Sequence, residues 1–317
     1  MKYGLGLTTR GIFTNREAYL DVARAADKAG FDYLAVTDHL ITPKVQVSKY
    51  PYTTSGAMVG MDDGHCMDQL STMAFLAACT ERVKLLTSVM VIPHRPAVLT
   101  AKMIATIDVL SKGRLILGVG AGWMREEIEA LGVDFETRGK LTDESLAAFK
   151  ELWSKDSASF EGTLVKFKDM VFLPKPIQKP HPPIWIGGES KAALRRTIQH
   201  ADVWYPGNNS QTKPLDTPQR LAEGIAHMKK DCADAGRDPA TLGVGLLVQN
   251  FFEWGDHKVN DGSARRMFTG TSAQMADDGR ALDKIGVTHA TLRLGGSSAA
   301  EAVERLERFS REVIKAQ

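Results

Sequence analysis

Apolar and polar residues alternate along this chain in blocks that predict strands and helices in turn. Residues 83–92 form an aliphatic run of about one strand length that gives way to Pro93 and Pro96. Apolar residues then recur at near-helical spacing over 97–110, and a second apolar run, 115–119, stops at a glycine-rich turn. Two apolar strands joined by a helix form a βαβ unit. We therefore expect parallel, doubly buried strands whose carboxyl ends face the same side, where parallel α/β folds bind ligands.

The same alternation continues through the chain on both sides of this unit. Eight strands are predicted, over residues 2–8, 33–37, 83–92, 115–119, 184–186, 202–205, 242–248 and 287–294. Eight strands alternating with eight helices in 317 residues are typical of a (β/α)8 TIM barrel, here expected to be a single domain spanning 1–317. A doubly wound open sheet is the alternative fold.

Three segments are predicted to be insertions in this barrel. Residues 40–65, after strand two, are polar and aromatic with several glycines and predict a loop over the strand ends. Residues 160–183, after strand four, carry repeated prolines and predict a hairpin followed by extended chain. A further insertion is expected in the loop after strand seven. We expect the first two to shape the substrate pocket, since such loops vary most.

Composition and charge narrow the functional classes. The apolar fraction of 43% is ordinary for a globular protein, and a net charge of +2 without a basic stripe argues against nucleic acid as a partner. The three cysteines are widely spaced and suggest a reducing compartment rather than a disulfide framework. The first residues lack an apolar signal region, and no window of 18 apolar residues exists. The expectation is a cytoplasmic protein without a membrane partner.

Asp38 and His39 close the second predicted strand and are the leading catalytic candidates. A barrel places catalytic groups at the carboxyl ends of its strands, and a histidine there exchanges protons near neutral pH, tuned by the adjacent carboxylate. The alternative is a solvated turn pair. The remaining histidines form no His-x-His or His-x-x-x-His pair, so no metal site is predicted and a metal-dependent hydrolase is the weaker hypothesis.

Two glycine-rich turns follow predicted strands. In the first turn, Gly118, Gly120 and Gly122 do not have the spacing of a dinucleotide-binding fingerprint. We expect Gly118 to pack inside the barrel. Gly120 and Gly122 suggest that the backbone approaches a ligand closely there. The second turn, 187–190, opens a predicted helix whose free N–H groups could bind phosphate, with Lys191, Arg195 and Arg196 nearby. An ordinary helix cap is the alternative, and Glu189 argues against phosphate at its own side chain.

Three tryptophans fall at or beside predicted strand ends. Trp123, Trp185 and Trp204 follow or close strands four, five and six. Together at one barrel mouth they would suit a planar aromatic ligand, although a single aromatic at such a position is usually part of the core.

Four stretches of the sequence make it resemble a known family. They are DYLAVTDHL, LLTSVMVIPHRPAVLTAKMIATIDVLSKGRLILGVGAGW, PPIWIGGES and GVTHATLRLGG, and they occur in family order over nearly the whole chain. The chain resembles the bacterial-luciferase-like flavin enzymes, and its second stretch is most similar to members that depend on the deazaflavin coenzyme F420. This resemblance implies a TIM barrel with insertions, in agreement with the strand count, and often a homodimer.

The resemblance also implies roles for particular residues. His39 would donate or accept a proton beside a redox ring, with Asp38 next to it. Ser88 and Val89 match a position that carries a non-prolyl cis peptide under the ring. Asp38 and His39 are expected to bind the cofactor as well. The other residues expected to bind it are Ser88, Val89, Ala121, Gly122, Trp123, Gly187, Gly188, Glu189 and Ser190. Sugar-phosphate dehydrogenases of the family carry glutamate where this chain has Trp123, so sugar-phosphate oxidation is not expected.

The expected chemistry is redox chemistry on a small organic substrate. With F420, a hydride passes between the deazaflavin ring and the substrate, while the protein orients both and His39 manages the proton. The alternative is an FMN-dependent monooxygenase, in which reduced flavin and oxygen act on the substrate. A third hypothesis is a flavin-binding protein without turnover.

Overall fold

The computed structural model describes residues 1–58 and 64–316. Its first half contains, in chain order, β1 (Lys2–Leu7), α1 (Arg16–Ala29), β2 (Tyr33–Val36), α2 (Gln69–Cys79), β3 (Lys84–Thr87), β4 (Met90–Val91), α3 (Ala97–Leu110), β5 (Leu115–Gly120), α4 (Arg125–Ala130) and α5 (Arg138–Ser154). Its second half contains β6 (Ala158–Glu161), β7 (Lys166–Met170), β8 (Ile184–Gly187), α6 (Lys191–His200), β9 (Val203–Tyr205), α7 (Pro218–Asp234), β10 (Gly243–Phe251), α8 (Ser272–Lys284), β11 (His289–Arg293) and α9 (Ala299–Phe309).

Eight of these strands close into a parallel barrel. The order around the barrel is β3, β2, β1, β11, β10, β9, β8 and β5, and the pairing of β5 with β3 closes it. The TIM-barrel prediction is confirmed, and each predicted barrel strand coincides with an observed one. The predicted strand 83–92 is interrupted, however: β3 ends at Thr87, and the chain bends through Ser88 and Val89 before β4 pairs with the end of β5.

Apolar side chains fill two layers, one inside the barrel and one between the strands and the helices. The interior cluster includes Tyr33, Leu86, Ile116, Trp185 and Tyr205. The outer cluster includes the buried face of α9, with Ala302, Leu306 and Phe309, and also Val313 in the turn that follows this helix. The strand ends that form the site are therefore anchored on both faces.

The segments predicted to be insertions lie in different places. Residues 40–58 form an irregular loop at the barrel mouth, whereas residues 59–63 of that segment lie outside the described part of the chain. Residues 158–170 form the antiparallel hairpin β6–β7, and the chain after it is fastened to the outer helices, for example by Gln178 donating to Asp108. The predicted role of 160–183 in the pocket is wrong, because none of its residues lines the cavity described below.

Across residues 1–58 and 64–316, no helix combines the length and the apolar character needed to cross a membrane.

Candidate active site

A cavity of about 580 Å³ opens at the carboxyl ends of the barrel strands. Seven of the eight barrel strands contribute residues to its wall, and Ser88 and Val89 contribute from the segment that follows the remaining strand, β3. The structure brings every predicted site residue to this one cavity. They are Asp38, His39, Ser88, Val89, Ala121, Gly122, Trp123, Gly187, Gly188, Glu189 and Ser190. Their catalytic and cofactor-binding roles remain predictions.

Val89 forms the floor of the cavity. The peptide bond between Ser88 and Val89 is cis, as the family resemblance implies. A Cβ atom added at Gly120 would come within 2.7 Å of Val89 Cγ2, and one added at Gly187 within 3.1 Å of Val89 Cγ1. The absence of side chains at Gly120 and Gly187 therefore makes room for Val89. Gly120 also lines the cavity, so our expectation that its backbone approaches a ligand stays a prediction.

Close packing of neighbouring atoms also explains why glycine occupies positions 118 and 122 of the first turn. A Cβ at Gly118 would lie 2.0 Å from the carbonyl oxygen of Thr87, so this position packs strand against strand, as expected. Gly122 has a φ of +84°, which favours glycine, and a Cβ there would approach Ile128 and Val91 to 2.8 Å. Gly122 nevertheless lines the cavity.

A chain of hydroxyl groups supports the floor from below. Ser88 Oγ lies 3.0 Å from the Tyr205 hydroxyl, which donates to Thr291 Oγ1 at 2.7 Å. Thr291 Oγ1 lies 2.9 Å from the Tyr33 hydroxyl, and all four residues are buried. Each polar group has a partner inside an otherwise apolar barrel, so the network fixes the position of the floor.

His39 is held by a carboxylate that we did not predict. Its Nδ1 lies 2.8 Å from Glu127 Oε2, and the other Glu127 oxygen accepts the backbone N–H of Leu40 at 2.6 Å. We expected the neighbouring Asp38 to tune His39, and this is wrong, because the partner comes from α4, 88 positions further along the chain. A carboxylate at Nδ1 orients the ring and places the acceptor lone pair of neutral imidazole on Nε2.

Glu127 is suited to that orienting role. Burial acts to raise the pKa of its carboxyl group, but the hydrogen bond with His39 and the nearby imidazoles outweigh burial and hold the pKa below its usual value. His94 is buried behind it, with Nε2 at 3.5 Å from Glu127 and Nδ1 at 3.7 Å from Asp38. The two carboxylates on either side of His94 thus belong to one buried polar network beside the cavity.

Asp38 occupies an ion pair rather than facing His39. Its two oxygens accept a bidentate pair of hydrogen bonds from Arg95, each 2.9 Å long, and one of them also accepts the N–H of Val91. Arg95 additionally contacts Asp68 at 2.7 Å. Burial acts to raise the pKa of Asp38, but His94 and Arg95 hold it well below its usual range. Asp38 therefore ties the end of β2 to the start of α3 as a carboxylate anion.

Only one of the three tryptophans faces the cavity. The Trp123 ring packs edge-on against His39 and Tyr50, with centroids 6.2 and 5.1 Å away. Trp185 is buried in the barrel interior against Tyr33 and Tyr205, below the floor. Trp204 is also buried and donates from Nε1 to the carbonyl of Gly188. The predicted cluster of three indoles is wrong. The aromatic ring that packs against Trp123 at the cavity wall is instead that of Tyr50, from the loop 40–58.

The turn before α6 has the features of an ordinary helix cap and also those of a helix end that could bind phosphate. Ser190 caps the helix by accepting the N–H of Ala193, and Gly188 has a φ of +103°. The first turn of the helix leaves backbone N–H groups without intrahelical acceptors at the cavity wall, which Ala192 and Ala193 line. Among the predicted cations only Arg196 lines the cavity, and it pairs with Asp143.

Glu189 points away from that helix end. Its carboxylate accepts the N–H of Gly207 at 2.6 Å and lies 3.3 Å from the Tyr52 hydroxyl. Burial raises the pKa of Glu189 to about 7, although the hydrogen bonds from Gly207 and Tyr52 act to lower it. Glu189 lines the cavity, and its carboxylate is engaged by Gly207 and Tyr52.

Glu189 provides a prediction about stability and pH. Its folded pKa of about 7 exceeds the ordinary 4.5, so the folded state binds more protons between those values and stability falls as the pH rises through that window. We expect Glu189→Gln to leave the free energy of unfolding nearly unchanged at pH 4.5 and to raise it above pH 7, by up to about 3 kcal/mol relative to wild type. Urea unfolding at both pH values measures this. An equal effect of the substitution at both would contradict it.

Two arginines in the cavity wall were missed by the sequence analysis. Arg10 follows β1 and is 4% exposed, and Arg293 ends the neighbouring strand β11. Both line the cavity, and within the described part of the chain neither has a carboxylate within 4 Å. The available signal was their position at strand ends, the same signal that identified His39.

The described residues contain no group of three or more histidine, cysteine, aspartate or glutamate side chains placed to hold a metal ion. The hydrolase hypothesis thus gains no support from residues 1–58 and 64–316.

Comparisons with known proteins give one family that matches most of the chain and individual proteins that match 60% of it or more. The family described as luciferase-like monooxygenase matches residues 6–310. An uncharacterised protein of Mycobacterium tuberculosis is 33% identical over 219 residues, covering 69% of this chain and 73% of that protein. The FMNH2-dependent dimethylsulfone monooxygenase of Pseudomonas putida is 32% identical over 192 residues, covering 60% of this chain and 48% of that enzyme. The coenzyme F420 dependent tetrahydromethanopterin reductase of Methanopyrus kandleri shares the fold, with a TM-score of 0.74 at 15% identity over 99% of both chains.

Proposed function

Because the chain belongs to the luciferase-like monooxygenase family, whose members are flavin- or F420-dependent oxidoreductases and monooxygenases, we propose that it catalyses hydride transfer between coenzyme F420 and a small organic substrate. The observation that carries this proposal is His39. Its Nδ1 is fixed by Glu127, and the residue lines the cavity above the Val89 floor. F420 is the first candidate because residues 85–123 resemble F420-dependent members.

The cavity fits a tricyclic ring with a phosphate-bearing side chain. Val89 offers an apolar floor that Gly120 and Gly187 keep clear of other side chains. The ring would lie on Val89 with Trp123 at its border, and its phosphate would reach the α6 turn at Gly188 and Ser190. Ala121 and Gly122 complete the wall on that side. When bound, such a cofactor accepts or delivers the hydride.

The protein's own part in the reaction is proton handling and orientation. With Nδ1 engaged by Glu127, His39 has only Nε2 available to exchange a proton with the substrate. Trp123 packs edge-on against the His39 ring, and Tyr50 packs against Trp123, so these aromatic contacts help to hold the imidazole in its orientation. Asp38 holds the end of β2, and thereby the backbone of His39, in place.

An FMN-dependent monooxygenase is the second candidate. It is favoured by the 32% identity to a Pseudomonas putida enzyme named as an FMNH2-dependent monooxygenase. In this case His39 would serve the same proton-transfer role with a different cofactor, and molecular oxygen would be a co-substrate.

Cofactor titration tests both candidates. We expect F420 to quench the fluorescence of Trp123 at micromolar concentration and FMN or FMNH2 to bind more weakly. The Trp123→Phe variant reports how much of the signal comes from this indole. Tighter binding of FMNH2, with oxygen consumption in the presence of substrate, would favour the second candidate. If neither cofactor bound below millimolar concentration in either redox state, the proposal would be refuted.

Gly120→Ala tests the floor. The added methyl group would meet Val89 Cγ2 at 2.7 Å, and the branched side chain of Val89 has little freedom to move aside. We expect cofactor affinity to fall by about tenfold or more, which corresponds to roughly 1.4 kcal/mol. The control is Gly139→Ala on the same cavity, where the new methyl group would meet only Arg196 Nη2, at 3.8 Å. Equal affinities of the two variants in a titration would contradict the prediction.

A further inference from the structure

Arg10 and Arg293 form a pair of cations that the described protein leaves without acidic partners. Among the described residues, the buried Nη1 of Arg10 has no hydrogen-bond partner, and the Nε of Arg10 contacts Thr8 Oγ1 alone, at 3.4 Å. Arg293 donates to the carbonyl of Gln249 at 3.0 Å, and its guanidinium lies over the ring of Phe251. Within residues 1–58 and 64–316 no carboxylate reaches within 4 Å of either group.

This arrangement is unfavourable in the protein alone. Burial and the charge of Arg293 both lower the pKa of Arg10, and burial lowers the pKa of Arg293. A buried donor without an acceptor and two like charges near each other are normally avoided unless a ligand completes them. Planar guanidinium groups match the geometry of an oxyanion, which accepts two parallel hydrogen bonds.

The position of the pair relates it to the substrate rather than to the cofactor phosphate. In the order of strands around the barrel, β1 lies four places from β8, so the arginine pair and the α6 turn lie on opposite sides of the mouth. His39 follows β2, which is adjacent to β1. A group held by Arg10 therefore lies on the same side of the mouth as His39.

We propose that Arg10 and Arg293 bind an oxyanion of the substrate, so that the substrate is a small organic carboxylate or sulfonate whose remaining carbon atoms extend toward His39. This inference rests on the proposed function, because it places the substrate between His39 and the cofactor. Tyr50 completes the subsite; burial raises the pKa of its phenol, although both arginines act to lower it.

Calorimetric titration with methanesulfonate, butyrate and dimethylsulfone tests the subsite, because methanesulfonate and dimethylsulfone have similar shape and differ in charge. We expect at least one of the two anions to bind the F420-loaded protein about tenfold or more tightly than dimethylsulfone. Arg10→Met and Arg293→Met should each lose about tenfold of the anion affinity, and Arg10→Lys should recover part of it. The control is Lys213→Met, which removes a charge from the same cavity near Glu189.

Thermal unfolding separates a binding role from a structural one. Without ligand, Arg10→Met should unfold at the same temperature as wild type or higher, since it removes a buried unpaired donor; a lower temperature would assign Arg10 a structural role and overturn the proposal. Two binding results would also overturn the proposal. One is that neither methanesulfonate nor butyrate binds more tightly than dimethylsulfone. The other is that Arg10→Met binds the anions as tightly as wild type does. So would loss of F420 binding in Arg10→Met with anion binding intact, since the arginines would then hold the cofactor. If F420 does not bind the wild-type protein, that result counts against the proposed function alone. The anion titration is also performed without cofactor and therefore tests the arginine subsite by itself.

Discussion

Replacing His39 by alanine should reduce kcat/KM by about 10²- to 10⁴-fold while leaving cofactor affinity nearly unchanged. The ring nitrogen left available by Glu127 is the group we propose to exchange the proton with the substrate, and alanine removes it. The floor formed by Val89 and the α6 turn do not depend on the imidazole, so the cofactor should still bind. Steady-state kinetics with the cofactor identified by titration, together with its dissociation constant, measures both quantities.

The control for His39 is His257→Ala. His257 pairs with Glu253 in an exposed segment after β10 and does not line the cavity, so its removal should leave the rate unchanged. If His39→Ala turned over at the wild-type rate, His39 would have only a structural role. If the variant lost cofactor binding as well as activity, the imidazole would be needed to shape the site rather than to move a proton.

Replacing Asp38 by alanine should lower the free energy of unfolding by about 3–5 kcal/mol at pH 7. The substitution removes the carboxylate that accepts two hydrogen bonds from Arg95 and one from Val91, and it leaves the buried guanidinium with Asp68 alone. Because the folded pKa of Asp38 is lowered, the stability from this ion pair is fully present above the ordinary carboxyl pKa of 3.8 and is lost as the pH falls through the folded pKa. Urea unfolding at pH 7 measures the effect.

Asp261→Ala is the matched control for Asp38. Asp261 also pairs with an arginine, Arg220, but on the exposed surface, where screening by solvent leaves the pair little influence on stability. We therefore expect Asp261→Ala to unfold at nearly the wild-type urea concentration. A small effect of Asp38→Ala on stability, combined with a large loss of activity, would instead restore Asp38 to a direct role in the reaction.

The barrel and the positions of the site residues could be predicted because they depend on local periodicity. Each strand is a short apolar run, and the residues just after it lie at the cavity, so the positions of His39, Gly122 and Ser190 follow from strand boundaries. The break of the third strand at Ser88 came only from the family resemblance, because the run 83–92 has no polar interruption long enough to indicate it.

The partners of these residues could not be predicted, because they depend on tertiary packing. Glu127 lies on α4, and its sequence spacing gives no indication that it reaches His39. Position 120 has no room for a side chain because Val89, a residue 31 positions earlier in the chain, fills the space beside it. Trp185 and Trp204 have the sequence position of cavity residues, but their side chains point to the barrel interior and to the surrounding helices, since successive residues of a strand face opposite sides.

The hydroxyl chain from Ser88 to Tyr33 has a consequence for how this enzyme can be redesigned. The hydroxyl chain comes from β2, β9, β11 and Ser88 after β3, and Gly120 of β5 and Gly187 of β8 make room for Val89. Tyr50 and Tyr52 of the mouth come instead from the loop 40–58, which supplies no member of that hydroxyl chain among the described residues. The surface that we propose to recognise the substrate and the floor that we propose to support the cofactor ring are thus carried by separate pieces of chain. Replacing residues 40–58 by a loop of different composition should therefore change the substrate preference and leave the floor at Val89 unchanged.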